Sequence, residues 1–476
     1  MFRLTTFKDL LSNPPIYHVL ISTLLWKMTL HKDNPPETFY RLSSAILQEK
    51  MGTRQFYVIL KQLLADGVVE CDKKYHTGIR SKGYRISSKW YNKPRTEVKV
   101  DGALGKRLKA YQKVWQNDMK QRINGTNYKQ CVADLKTVRI NWKHINWDGI
   151  WDTIRRTHKD KAYTNGPEHR LECTKAIGRN IYHRHFDYSV CDYGRLHTPI
   201  TSLSNLLLPY ITLDGNSVCS VDITNSQPLF LILKLRAELD KTTEKIEVCE
   251  KSRGIQPHTH HQQPPTLPLC TVKIAYKTRN TSIFPEDSAC SKNLENCFGR
   301  LRDLVSSGNF YEAIADYAGV SRSKAKILFY VYAYGPIKYV NKCTLFFQSN
   351  FPAMYELIRR IKIDNKLPDG ELTSKGKPAI WAYLARAMQK QESNFIFNRV
   401  IPRVRQEIGC RLLTKHDSLL IANQHTKKVS DIIKDEFAKL GIVAQTTTTV
   451  HRPAVSPPQI HSDGFYLDKP ISTLEF

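Results

Sequence analysis

Two apolar runs far apart in this chain each carry a single aspartate, and this pairing limits the fold more than any other feature. Ser217 to Ile223 reads as a β-strand with Asp222 near its end, and Leu229 to Leu235 then starts a buried helix. Arg411 to Ile421 reads as a hairpin with His416 and Asp417 at the turn between two apolar strands. A buried carboxylate without a partner is costly. An aspartate kept at such a place either caps a helix or has a chemical task. If the two strands are neighbours, the carboxylates meet and make a seat for two divalent cations.

A third segment lies between them. Arg322, Lys326, Tyr330 and Tyr334 are spaced by four. At 3.6 residues per turn such positions drift slowly around a helix and share one face. Two cations followed by two aromatics on one face suit a triphosphate and then a sugar and base. Arg322 offers a bidentate contact and Lys326 a point charge. Gly335-Pro336 ends the helix. The plainer reading is an amphipathic helix with a basic edge.

The chain has 476 residues, 41% of them hydrophobic, enough for two or three domains with sizeable cores. Lys and Arg outnumber Asp and Glu by 72 to 44, a net charge of +28. A surplus that large argues for a polyanionic partner, nucleic acid first. No apolar run approaches the roughly 20 residues of a spanning helix, and no signal peptide is evident at the start. No membrane partner is therefore expected. The 11 cysteines are odd in number and scattered, with no Cys-x-x-Cys pair. That pattern suits reduced thiols and a cytoplasmic location, nucleoid-associated or in a host cell.

Residues 1–90 read as a separate module. Helices are predicted over Ile16 to Leu30 and Leu42 to Lys50, and a third, capped by Thr53, carries Phe56, Ile59, Leu60, Leu63 and Leu64. Asp66-Gly67 stops it, and strands follow at Val68 to Cys71 and Lys82 to Ser87. Three helices and a hairpin resemble a winged helix DNA-binding module. The resemblance implies duplex contacts from Arg54 and Gln55 on the third helix and from Lys73, Lys74, Arg80 and Lys82 in the wing. A winged helix used for protein contacts is the alternative.

Residues 91–190 are helical in pattern and basic; Lys106, Arg107, Lys109, Lys113, Lys120 and Arg122 suit the backbone phosphates of a duplex, with a solvated helix face as the plainer reading of any one of them. Residues 191–453 carry the three segments above, interrupted by an irregular insertion over 240–300. That insertion holds His258, His260, His261 and four cysteines, but no compact zinc spacing. Residues 454–476 read as a tail.

Together the segments resemble motifs A, B and C of the family A DNA polymerases and the related single-subunit phage-type RNA polymerases. Motif A is Val221-Asp222-Ile223-Thr224-Asn225-Ser226-Gln227-Pro228, motif B runs from Arg322 to Gly335, and motif C is His416-Asp417-Ser418. Asp192-Tyr193-Gly194-Arg195-Leu196-His197-Thr198 resembles the Gly-Arg-Leu segment upstream of motif A, and Ala387 to Glu392 resembles the Met-Gln segment before motif C.

The resemblance implies an α+β, multidomain, right-hand polymerase. Its palm would be an antiparallel sheet, its fingers and thumb helical. Asp222 and Asp417 would be catalytic and hold two Mg²⁺ ions, with Mn²⁺ able to substitute. Arg322, Lys326, Tyr330 and Tyr334 would bind the nucleoside triphosphate. Arg195, Gln389, Gln391 and His416 would touch the DNA template and primer. The winged helix in front, with no proofreading site evident, suggests a compact replication protein of a mobile element, plasmid or phage.

The motifs depart from the pattern in two places. The glutamate of motif A, which helps exclude a 2′-hydroxyl, is missing after Ser226-Gln227, with Asn225 or Gln227 as stand-ins. Motif C ends in serine, as in the RNA enzymes. DNA synthesis is the first expectation. An RNA polymerase or primase, and a non-catalytic replication initiator, are the alternatives.

Overall fold

The structure is a computed structural model that describes residues 2–30, 38–72, 81–91, 93–158, 166–252, 288–364 and 382–452. The chain is an α+β protein with several separate sheets. No helix among the described residues is long and apolar enough to cross a membrane.

The first unit contains β1 (Phe2–Phe7), α1 (Tyr17–Leu30), β2 (Tyr40–Arg41), α2 (Ser44–Met51), α3 (Thr53–Ala65), β3 (Val69–Cys71), β4 (Gly83–Ile86) and β5 (Arg95–Val100). The three expected helices and the hairpin are present, with Val69 opposite Ile86. Three features differ from expectation. Gly52 at φ 90, not Thr53, stands at the N-cap of α3. β2 joins the hairpin as a third strand. β5 returns to pair with β1 over its whole length. Its core runs from Leu4 to Val100 and Leu108.

The next stretch, expected to be helical, also holds a strand. It comprises α4 (Gly102–Ile123), α5 (Tyr128–Leu135), β6 (Val138–Ile140), α6 (Trp147–His158) and α7 (Pro167–Tyr182). Then come β7 (Ser189–Val190), β8 (Leu196–His197), α8 (Pro199–Ser202), β9 (Ile211–Leu213), β10 (Asn216–Ile223) and α9 (Ser226–Ser252). A helical block follows: α10 (Ser288–Ser306), α11 (Phe310–Ala318), α12 (Arg322–Tyr334), α13 (Lys342–Asn350), α14 (Pro352–Asp364) and α15 (Ala382–Phe395). A π-helical turn (Ile396–Val400) leads into α16 (Ile401–Glu407), and β11 (Leu413–Lys415), β12 (Ser418–Ala422), α17 (Thr426–Ala438) and β13 (Thr446–Val450) complete the chain.

The main sheet is antiparallel in the order β11-β12-β10-β9-β6, with β13 on the other side of β10. Its two faces are chemically different because side chains alternate along a strand. Cys219, Val221 and Ile223 point one way. Val221 and Ile223 join Leu419 and Ile421 in the large core that packs against α9 and α17. Val218, Ser220 and Asp222 point the other way. At the Val218 end this second face is apolar and packs with Leu413 and Leu420 into a core shared with α6 and α7. At the Asp222 end it turns polar, and the partly exposed region that Asp417 shares there with Arg195, Lys326 and Tyr330 forms the cleft.

The first unit is joined to the rest through a buried histidine. His169 of α7 is 1% exposed. Its Nδ1 accepts from Arg95 Nη2 at 2.9 Å, and it also bonds the Met28 carbonyl of α1. Burial, then the Arg95 charge, pushes this imidazole down to about 3. Its folded value lies below the unfolded value of about 6.5, so the stability it supports is full above pH ~6.5 and is lost as pH falls towards the folded value. Urea midpoints measured from pH 7 to pH 4 should therefore decline in the parent and decline less in His169→Gln. Parallel curves for the two proteins would show that this histidine does not carry the acid sensitivity.

Candidate active site

The strand register brings the two aspartates together. β10 and β12 are antiparallel neighbours, and Asp222 lies directly opposite Ser418. Asp417 is the residue before Ser418, so the two carboxylates sit side by side at the mouth of the cleft. Both are half-buried. Withdrawal from water raises each pKa, and the Asp417 charge raises that of Asp222 further. The Ser418 hydroxyl bonds Asp222, and the Ser226 hydroxyl and a backbone N–H bond Asp417. Lys326 and Arg195 act on Asp417 through space, as do His451 and Lys415 on Asp222.

The turn carrying Asp417 is tight. Lys415 pairs with Ser418, leaving only His416 and Asp417 in the loop. His416 takes φ 60, a left-handed conformation that a two-residue hairpin loop usually reserves for glycine or asparagine. A non-glycine residue held there stores strain, as functional turns often do. Desolvation of the ring, then Arg195, His197 and Lys415, push exposed His416 down to about 4, so its ring is neutral at pH 7.

Helix α12 borders this region, with Lys326 and Tyr330 within electrostatic reach of Asp417. Ser321 caps its start, its hydroxyl accepting from Lys324 N at 3.4 Å. Arg322 and Lys326 are exposed, while Tyr330 and Tyr334 are half-buried, with ring centroids 5.4 Å apart in a stacked arrangement. The spacing-by-four expectation thus holds as geometry. Arg322 is not free, however. Its guanidinium is paired with Glu312 of α11 and lies 5.5 Å from the Tyr311 ring. At the far end, buried Lys362 of α14 donates to the Tyr332 carbonyl and, at 3.2 Å, to the Gly335 carbonyl. A cation on the last carbonyls of a helix satisfies them and complements the helix dipole. Burial pushes Lys362 down to about 8.

Arg195 is presented by a turn that needs glycine. Gly194 takes φ 76, and a Cβ there would meet Tyr128 Oη at 3.0 Å and Ser393 Cβ at 3.3 Å. Arg195 Nε then donates to Glu392 Oε1 at 3.0 Å. Gln389 bonds the Tyr334 hydroxyl. Gln391 Oε1 is buried with no hydrogen-bond partner among the described residues.

Sequence reasoning missed Glu392, Lys362, Glu312 and Tyr311. The only signal for Glu392 was an ionisable residue on the apolar face of α15, beside Met388 and Phe395. Of the expected duplex contacts, Arg54 and Gln55 are exposed on α3, as is Lys82 beside β4. Lys73, Lys74 and Arg80 lie outside the described residues, as do His258, His260, His261 and Cys270.

Among the described residues no group of three or more His, Cys, Asp and Glu is placed to hold a metal. Asp222 and Asp417 are the two neighbouring carboxylates that could hold a divalent ion. Mg²⁺ is commonly held by one or two carboxylates together with substrate phosphates, and burial penalises the charge on both carboxyls here.

The raised values have a stability consequence with a definite sign. An unfolded aspartate ionises near pH ~3.9. A carboxyl with a higher folded value therefore subtracts stability as pH rises past that point. Asp417→Asn keeps the shape and removes the charge. Its melting temperature at pH 7 should exceed the parent's by roughly 1–4 °C, and the gap should close near pH 4. An equal or lower midpoint at pH 7 would show that the carboxylate is not penalised. No model of a known protein family matches this chain, and none of the curated proteins matches it.

Proposed function

We propose that the protein is a DNA-templated nucleotidyltransferase, a primer-extending DNA polymerase with a right-hand arrangement and a winged helix in front. The observation that carries the reading is the register of β10 on β12. It sets two penalised carboxylates side by side, with Lys326 and Tyr330 of α12 within electrostatic reach of Asp417. In this reading the sheet around β10 is the palm, the helices around α12 are the fingers, and α4 contributes to the thumb.

Each residue then has a task. Asp222 and Asp417 hold the divalent ions. Bound there, Mg²⁺ would lower the pKa of the primer 3′-hydroxyl and neutralise the leaving pyrophosphate. Lys326 is exposed and takes a phosphate oxygen. Arg322 does the same once the triphosphate has displaced Glu312 from it. The rings of Tyr330 and Tyr334 meet the sugar and base. Arg195, Gln389 and neutral His416 line the side where the primer end and template lie.

Primer extension tests the reading. Asp222→Ala and Asp417→Ala should each lower the rate by about 10³-fold or more, as expected for removal of transition-state charge stabilisation. The parent should prefer dNTPs to rNTPs on one primed template. Parental rates in the alanine variants would refute the site. A preference for rNTPs would replace DNA synthesis by RNA synthesis.

The first unit supports a separate, weaker inference about DNA. On α3 the exposed face carries Arg54, Gln55, Val58 and Lys61, while Phe56 and Leu63 are buried. An exposed helix face with cations suits a major groove. Replacing Arg54 and Lys61 by alanine should weaken duplex binding and lower its salt slope by about 1–2, without slowing extension of a long primed template. Unchanged binding would assign this face to another partner.

A further inference from the structure

Glu392 is the most deeply buried ionisable group at the cleft, 2% exposed. A carboxylate so placed is tolerated only when its oxygens are filled and its charge is paired. Both conditions are met by residues distant in sequence. Oε1 receives Arg195 through Nε at 3.0 Å and through Nη2. Oε2 receives the Ser226 hydroxyl at 3.3 Å and the Gln227 amide. Gln227 in turn accepts the Tyr334 hydroxyl through its Oε1. One turn back on the same helix, Gln389 bonds that same hydroxyl.

This carboxylate therefore ties three separate parts of the cleft together: the turn that presents Arg195, the start of α9 just after Asp222, and the end of α12. Ser226 extends the chain one step further, because its hydroxyl also reaches Asp417. Burial raises the Glu392 pKa and the Arg195 charge opposes that rise. Each of its four bonds comes from a donor, so only the ionised carboxylate accepts them all.

Resting on the polymerase reading, we infer that Glu392 is a positioning residue. It sets Arg195 at the primer end and, through Gln227, fixes the Tyr334 ring at the nucleotide site. Nucleotide binding and primer-end contact are thereby coupled through one buried charge. A neutral amide of the same shape would present an N–H to one of these donors. The Arg195 and Gln227 contacts cannot both survive that change.

The test is a kinetic cycle in the full chain. Glu392→Gln should raise the nucleotide KM by about tenfold, the equivalent of one charge-assisted hydrogen bond, with a smaller change in kcat. Tyr334→Phe, which removes the hydroxyl that Gln227 holds, should raise KM in the parent and add little in the Glu392→Gln background. Non-additivity of this kind marks residues acting as one unit, and a merely structural role would not produce it. Additive effects, or a KM within twofold of the parent, would overturn the inference. If Glu392→Gln does not fold, Gln227→Ala carries the test, since it cuts the link to Tyr334 and leaves the Arg195 pair. That variant should again raise KM and remove the effect of Tyr334→Phe. Failure of the polymerase reading itself would appear elsewhere, as undiminished extension by Asp417→Ala.

Discussion

The pairing of β10 with β12 is the contact on which the rest of the cleft depends. It places Asp222 against Ser418 and therefore beside Asp417. A slip of one residue would turn Asp222 into the core behind the sheet and bring Val221 to the cleft. The register is held by the alternation of the strands themselves. Val221, Ile223, Leu419 and Ile421 have one apolar face to fill, and β13 grips the other edge of β10. The hydrophobic face thus fixes the position of the polar one, and burial by Leu and Val supplies the free energy that two penalised carboxylates subtract.

The cleft is arranged as separate charge groups. Among the described residues Asp222 and Asp417 form no ion pair, whereas Arg195 is paired with Glu392 and Arg322 with Glu312. Lys326 stays exposed between them. Such a distribution suits a ligand that is itself anionic and arrives with cations. Under the proposed function the carboxylates would take the cations and Lys326 and Arg322 the anion, with the buried Arg195–Glu392 pair as the frame. A buried ion pair is seldom a large source of stability, but it fixes geometry well when every oxygen is filled. Helix α12 is held at both ends by comparable means, Ser321 at its start and Lys362 at its end.

Local features were largely legible in the chain. The helix over Arg322 to Tyr334, the His416-Asp417 turn and the three helices of the first unit follow from periodicity and stop signals that act within a few residues. Short strands paired over long distances were not. β2, β5 and β6 carry weak patterns, and only their partners make them strands. Lys82 and Gly83 announced a hairpin, but nothing near Arg95 announced its return to Phe7.

The sequence by itself determined which side chains share a helix face, where the apolar strands lie and which two aspartates interrupt them, because those properties depend on neighbours within a turn or a strand. The tertiary structure alone decided that Asp222 meets Asp417, that Glu392 bridges Arg195 to Gln227, and that Glu312 and Lys362 contact the two ends of α12. Each of those contacts joins residues from different elements. Their energies depend on burial and on the charge that packing brings alongside, and neither is written in the local order of residues.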